Sequence, residues 1–152
     1  WFDSSFSITK PSKQSNKMSI TMTVNYKEVL QPKTVEFIEE GEYDLDDALK
    51  FIDEYNEDAF VGYYEEYVRT GESIGYDVVD TFIEHHGDVS YVDHVEEAYY
   101  GVYNSGADFA EKFYSDLGDI PVGLVIDWEA TWKQNLYYDF DFVDGYVFSS
   151  SF

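Results

Sequence analysis

The chain has 152 residues, 44% apolar and 20% aromatic, enough to bury a core as one globular unit or two small subdomains, unlike a disordered acidic tail. Cysteine is absent, which excludes disulfides and thiolate metal sites and leans the compartment towards the cytosol. Thirty-two carboxylates against nine basic side chains give a net charge of −23, which repels nucleic acid, anionic membranes and acidic substrates.

Residues 1–17 are polar, basic and aperiodic. Either Met18 is a start preceded by a leader, or Trp1, Phe2 and Phe6 tack the segment onto the body. The opening lacks the basic and apolar regions of a signal peptide. Residues 18–43 are expected to form a small strand-containing region. Ser19-Ile20-Thr21-Met22-Thr23-Val24 alternates with period 2, and Val35-Glu36-Phe37-Ile38 supplies a partner strand.

An acidic helical module is expected over residues 44–90. Asp44 stands at an N-cap position, and Leu45, Ala48, Leu49 and Ile52 follow at helical spacing. Asn56 caps a second helix with Phe60, Tyr64, Tyr67 and Val68 inward, ending near Gly71. A third runs from Tyr76 to His86, with Val78, Val79, Phe82 and Ile83 inward and Gly87 as its stop. His85 and His86 suit a helix C-terminus, since adjacent histidines point apart and no third spaced metal ligand follows.

Residues 91–152 are expected to form the last module. A fourth helix carries Val92, Val95, Tyr99 and Val102. Ser105 caps a fifth, with Phe109, Ala110, Phe113 and Tyr114 inward and Gly118 after it. Pro121 opens a final helical region passing Trp128 and Trp132, and residues 144–148 read as a turn and a strand. The predicted fold class is therefore α+β: mostly helical acidic modules, a small antiparallel sheet from residues 19–38 and 145–149, and an elongated shape.

The charge is unevenly placed. Residues 1–33 hold five lysines against Asp3 and Glu28, a net of +3. Residues 34–152 hold Lys50, Arg69, Lys112 and Lys133 against 30 carboxylates, a net of −26. At one charge per about 1.7 Å of duplex axis, that matches roughly 44 Å of DNA, or about 13 base pairs. Asp77, Asp80 and Glu84 share one helix stripe, and Asp93, Glu96 and Glu97 share another. Carboxylates on such a stripe stand about 5–6 Å apart, close to the spacing of successive phosphates. Any solvated helix face can show one acidic stripe. Six successive elements with almost no lysine or arginine are another matter, because solvated faces normally mix signs and like charges at i,i+4 cost stability. The candidate phosphate-mimicking groups are Asp46, Asp47, Asp53 and Glu54; Glu65 and Glu66; Asp77, Asp80 and Glu84; Asp93, Glu96 and Glu97; Asp108 and Glu111; and Asp127 and Glu129.

Other chemistry has little support. Asp139 to Gly145 fails as a calcium loop, because Val143 takes a ligand position, Gly145 is one place late and Ser150 stands where Glu belongs. No nucleophile motif, phosphate-cradling loop or dinucleotide fingerprint occurs, and no carboxylate pair stands out as a catalytic dyad. No enzyme activity, metal or cofactor is expected. Glu57 to Tyr64 echoes Glu96 to Tyr103 as acid, acid, Ala, aromatic, any, Gly, any, Tyr, which suggests duplicated helical modules.

The run Glu97-Ala98-Tyr99-Tyr100-Gly101-Val102-Tyr103-Asn104-Ser105-Gly106-Ala107-Asp108-Phe109-Ala110-Glu111 is followed in order by Ile120-Pro121, Ile126-Asp127-Trp128-Glu129-Ala130 and Tyr146-Val147-Phe148. Over about 50 residues this resembles the C-terminal part of the ArdA family of antirestriction proteins. It departs from that family at Trp132-Lys133-Gln134-Asn135-Leu136, which lacks an arginine and an aspartate, and no family motif is recognisable in residues 18–40. The resemblance implies an elongated acidic dimer that mimics bent duplex DNA and inhibits Type I restriction-modification enzymes in a bacterial cytoplasm. Such proteins are carried by phages and other mobile elements. Two rivals remain open: a DNA mimic aimed at another target, such as a CRISPR effector, polymerase or nucleoid protein, and a halophilic protein whose acidity serves hydration. An enzyme with a diffuse carboxylate site is a third.

Overall fold

The computed structural model describes residues 25–118 and 120–152, so the expected strand at 19–24 and the role of residues 1–17 lie outside the described residues. The chain divides into two compact units, one ending at Asp93 and the other running from His94 to Phe152. The class is α+β, with helices dominating and one three-stranded antiparallel sheet.

The first unit is helical throughout its described length. After a helical turn at residues 25–29 come α1 (Pro32–Gly41), α2 (Leu45–Glu54), α3 (Glu57–Ile74), α4 (Tyr76–His86) and a 3₁₀ turn over Val89–His94 whose last residue belongs to the second unit. Two side-chain caps act as their residue types demand: Asp44 accepts from the Asp47 amide at 3.0 Å, and Asn56 from the Ala59 amide at 2.7 Å. Phe60, Phe82, Leu49 and Val79 are fully buried at the centre.

The expected strand at Val35–Ile38 is instead part of α1. Pro32 occupies the first helical turn, where its fixed φ suits a helix and its missing N–H costs nothing. Thr34 and Ile38 then fall one turn apart on the buried face. Thr34 Oγ1 donates to Glu57 Oε1 at 2.7 Å, and the Gln31 amide donates to the same oxygen at 2.9 Å, tying α1 to the start of α3. Helix α3 also runs past Gly71 to Ile74 and ends at Gly75, whose φ of +106° an L side chain rarely adopts. Gly71 lies inside the helix, where the Tyr76 ring occupies the space a Cβ would need.

The second unit contains α5 (Val95–Ala98), β1 (Tyr99–Val102), α6 (Gly106–Leu117), α7 (Trp128–Thr131), a π-helical turn over Trp132–Leu136, β2 (Phe140–Val143) and β3 (Tyr146–Ser149). The strand order is β1-β3-β2. The β2–β3 hairpin turns on Asp144-Gly145, both at positive φ, the conformation a two-residue type I′ turn requires. Ser105 caps α6 by accepting from the Asp108 amide at 3.1 Å. Phe109, Ala110, Leu136, Phe140 and Val147 form the core, flanked by Tyr103, Phe113, Tyr114, Trp128 and Trp132. Gly106 is required beneath the Trp132 indole, which a Cβ there would strike.

Three further expectations are corrected in this unit. The fourth helix does not continue from Val92 to Val102: a 3₁₀ turn and the single turn of α5 give way to β1 at Tyr99. Tyr99 pairs with Phe148 and Val102 with Tyr146, and Gly101, at φ +118°, marks an irregularity in the register. The echoed motif consequently folds in two ways, as helix at Glu57–Tyr64 and as helix then strand from Glu96, so it does not mark duplicated helical modules. The last helix starts at Trp128 rather than Pro121, capped by Asp127, while residues 121–127 are irregular. The sheet therefore draws on residues 99–102 and 140–149 and takes nothing from residues 35–38. Among the described residues, no helix is long and apolar enough to cross a membrane.

Candidate functional site

Each unit carries its carboxylates on the helix faces turned away from its core. In the first unit, Asp46 and Asp47 on α2, Glu65 on α3, Asp77 and Glu84 on α4, and Asp93 in the 3₁₀ turn are exposed. In the second, Glu96 and Glu97 on α5, Asp108 and Glu111 on α6, Asp127 and Glu129 are exposed. The remaining four of the sixteen candidates, Asp53, Glu54, Glu66 and Asp80, are only half-exposed. Stripe periodicity could not separate these from their neighbours, because their burial depends on side chains arriving from other helices.

Asp80 shows why. It lies on the Asp77–Glu84 stripe, yet its Oδ1 accepts a 2.7 Å hydrogen bond from the Tyr67 hydroxyl on the preceding helix. Glu66 accepts from two of the three guanidinium nitrogens of Arg69, Nε and Nη2, which keeps its carboxyl below the usual range. At Asp47, exposed as a residue, partial desolvation of the carboxyl at the start of α2, reinforced by the Asp44 carboxylate, raises it above its ordinary value despite nearby Lys50. Asp127 spends one oxygen capping α7, accepting from the Ala130 amide at 3.0 Å. Glu97 meets His94 at 3.0 Å and Glu129 meets Lys133 at 3.7 Å.

Positive charge is consumed locally. Of the six lysine and arginine side chains among the described residues, five sit on a carboxylate: Lys27 on Glu39 at 3.2 Å, Lys33 on Asp58 at 2.7 Å, Arg69 on Glu66, Lys112 on Asp116 at 2.9 Å, and Lys133 on Glu129. Between residues 34 and 93, 19 carboxylates stand against Lys50 and Arg69, a net of −17; residues 94–152 carry 11 against Lys112 and Lys133, a net of −9. Neither unit has the cations to neutralise itself.

The candidate set also missed a face. Glu36 and Glu40 are exposed one turn apart on α1, with Glu39 between them and Glu42 just beyond. Reading that segment as a strand hid an i,i+4 acidic pair that helical spacing would have revealed.

A row of tyrosines joins the acidic face to the core of the first unit. Tyr64 and Tyr67 are buried among Phe51, Phe60 and Tyr76, in edge or tilted ring contacts 4.6–6.1 Å apart. Burial, then neighbouring carboxylates, pushes the hydroxyls of Tyr55, Tyr64 and Tyr67 far up, and that of Tyr76 to about 12. The fold thus favours their neutral form. Its stability is complete below about pH 10, where an unfolded tyrosine is still protonated, and falls as pH rises through the higher folded values. Each fully buried tyrosine should cost about 1.4 kcal/mol per pH unit, so Tyr64 and Tyr67 together should remove about 2–3 kcal/mol between pH 10 and 11. Urea unfolding across that range measures the slope. Tyr67→Phe should lower the slope by about a quarter, since Tyr55, Tyr64 and Tyr76 are raised as well, while costing about 1.5–3 kcal/mol at pH 7, because Asp80 loses a hydrogen bond to a charged group.

Comparison with protein-family profiles, with curated proteins and with solved structures finds no match.

Proposed function

We propose that this chain is a DNA mimic of the antirestriction type, which occupies the DNA groove of a Type I restriction-modification enzyme in a bacterial cytoplasm and catalyses nothing. The observation that carries the reading is the one-sided charge. Exposed carboxylates line the outward helix faces of both units, while five of the six described basic side chains are already bound to carboxylates. Like charges on neighbouring helical turns oppose folding. A basic partner surface supplies the compensation that the fold lacks, and a groove built for phosphates is such a surface. The resemblance of residues 96–148 to the ArdA family selects the restriction enzyme among basic partners and implies a homodimer, which sedimentation would reveal.

Competition tests the reading. Purified Type I enzyme is titrated with the protein in the presence of unlabelled duplex DNA, at rising salt. Protein and DNA should exclude each other, and the affinity should fall steadily with salt because many screened contacts contribute. Binding indifferent to both salt and DNA defeats the mimic. Competition on a different DNA-binding protein, with none on the restriction enzyme, keeps the mimicry and changes the target.

A further inference from the structure

The second unit carries an aromatic surface that its core does not use. The π-helical turn over Trp132–Leu136 buries Leu136 and leaves the next two side chains outside: Tyr137 is 58% and Tyr138 76% exposed. Their rings lie 5.4 Å apart, edge to face. Tyr137 also meets the half-buried Trp132 ring at 6.2 Å, and Trp132 meets the exposed Phe142 ring at 6.5 Å. The four rings make one continuous ledge rooted in the core through Trp132, which packs on Phe109.

The backbone beneath the ledge is fixed. The Tyr137 amide donates to the Trp132 carbonyl at 2.8 Å, the Asp139 amide to the Leu136 carbonyl at 2.9 Å, and the Ser150 amide to the Asp139 carbonyl at 2.9 Å. The exposed Asp139 side chain directly follows the two tyrosines. The nearest basic residue in sequence, Lys133, is drawn to Glu129. Exposed rings on a hydrogen-bonded backbone, in a strongly negative unit, suit one occupant above others. A guanidinium is planar, weakly hydrated and positive: it stacks on an aromatic face while its edge donates to a carboxylate. A lysine ammonium gains less from the ring and stays hydrated.

We propose that Tyr137 and Tyr138, with Asp139, form an arginine-stacking ledge that engages guanidinium groups on the partner's basic groove. This rests on the mimic reading and refines it: carboxylates answer the charge of the groove, and the ledge discriminates arginine from lysine within it.

The test uses the full chain and two peptides of equal charge, deca-arginine and deca-lysine, with affinities measured calorimetrically at low salt. Two exposed ring contacts predict that deca-arginine binds about 5–30-fold more tightly than deca-lysine. The Tyr137→Ala/Tyr138→Ala protein should bind both peptides alike, with an unchanged thermal midpoint, and the Tyr137→Phe/Tyr138→Phe protein should keep the preference. Equal affinity of the wild type for the two peptides, or a preference that survives the double alanine, overturns the ledge and leaves the mimic standing. Failure of both peptides to bind overturns both readings together.

Discussion

On the DNA-mimic proposal, converting Glu65, Asp77, Glu84, Asp93, Glu96 and Glu97 to their amides should weaken inhibition of the proposed target enzyme in steps, reaching about 150-fold when all six are changed. All six are exposed, so each stands for one screened contact of about 0.5 kcal/mol, and six such contacts amount to about 3 kcal/mol. A single change such as Asp77→Asn should alter inhibition by only about twofold. Asp80 is left out because its tie to Tyr67 gives it a structural role. Stability should move the other way: relieving like-charge neighbours on α4 and α5 should hold or raise the thermal midpoint. Activity falling while stability does not is a signature that damage to the fold cannot produce. A cliff at one residue, with the other five silent, would point to an active site.

The largest effect on the fold should come from Phe109→Ala. Phe109 is 1% exposed, and its ring meets Phe140 at 4.8 Å, Tyr103 at 5.1 Å, Phe113 at 5.7 Å, and Tyr100 and Trp132 at 6.0 Å. Truncation removes a buried aromatic from a body of about 60 residues, at a cost of about 3–5 kcal/mol. That is a large share of the roughly 5–15 kcal/mol that holds a domain together. Chemical denaturation should show the second unit melting first in this variant, and Phe109→Leu, which retains an apolar side chain, should cost markedly less. If Phe109→Ala shifted the denaturation midpoint no more than an exposed substitution does, the core assigned to this unit would be wrong.

What could be read from the residues alone was whatever is decided locally. Asp44, Asn56 and Ser105 were legible as caps because a side-chain oxygen meets an amide three residues on, and Gly87 and Gly118 as stops because they end their helices at positive φ. The inward faces of α2, α3, α4 and α6 followed from 3.6-residue periodicity. What failed depends on partners distant in sequence. Tyr99–Val102 is a strand because Tyr146–Phe148 lies beside it, and no local pattern announces that pairing. Val35–Ile38 is a short apolar run of either period, and the deciding signal was Pro32 at the start of the helix. The acidic surface was legible as a pattern, but the withdrawal of Asp80 into a bond with Tyr67 was not, since it needs the packing of α3 against α4.

Tryptophan is distributed unevenly, and this makes the two units optically distinct. Trp1 lies outside the described residues; the other two, Trp128 and Trp132, both flank the core of the second unit. The first unit from residue 25 to Asp93 contains no tryptophan, and its core is packed with tyrosine and phenylalanine. In a Trp1→Phe background, emission excited at the red edge of the absorption band therefore comes from the second unit alone. A partner arriving at Tyr137 and Tyr138 would perturb the Trp132 indole, which the Tyr137 ring meets. A change in that emission on binding thus reports what happens at the second unit.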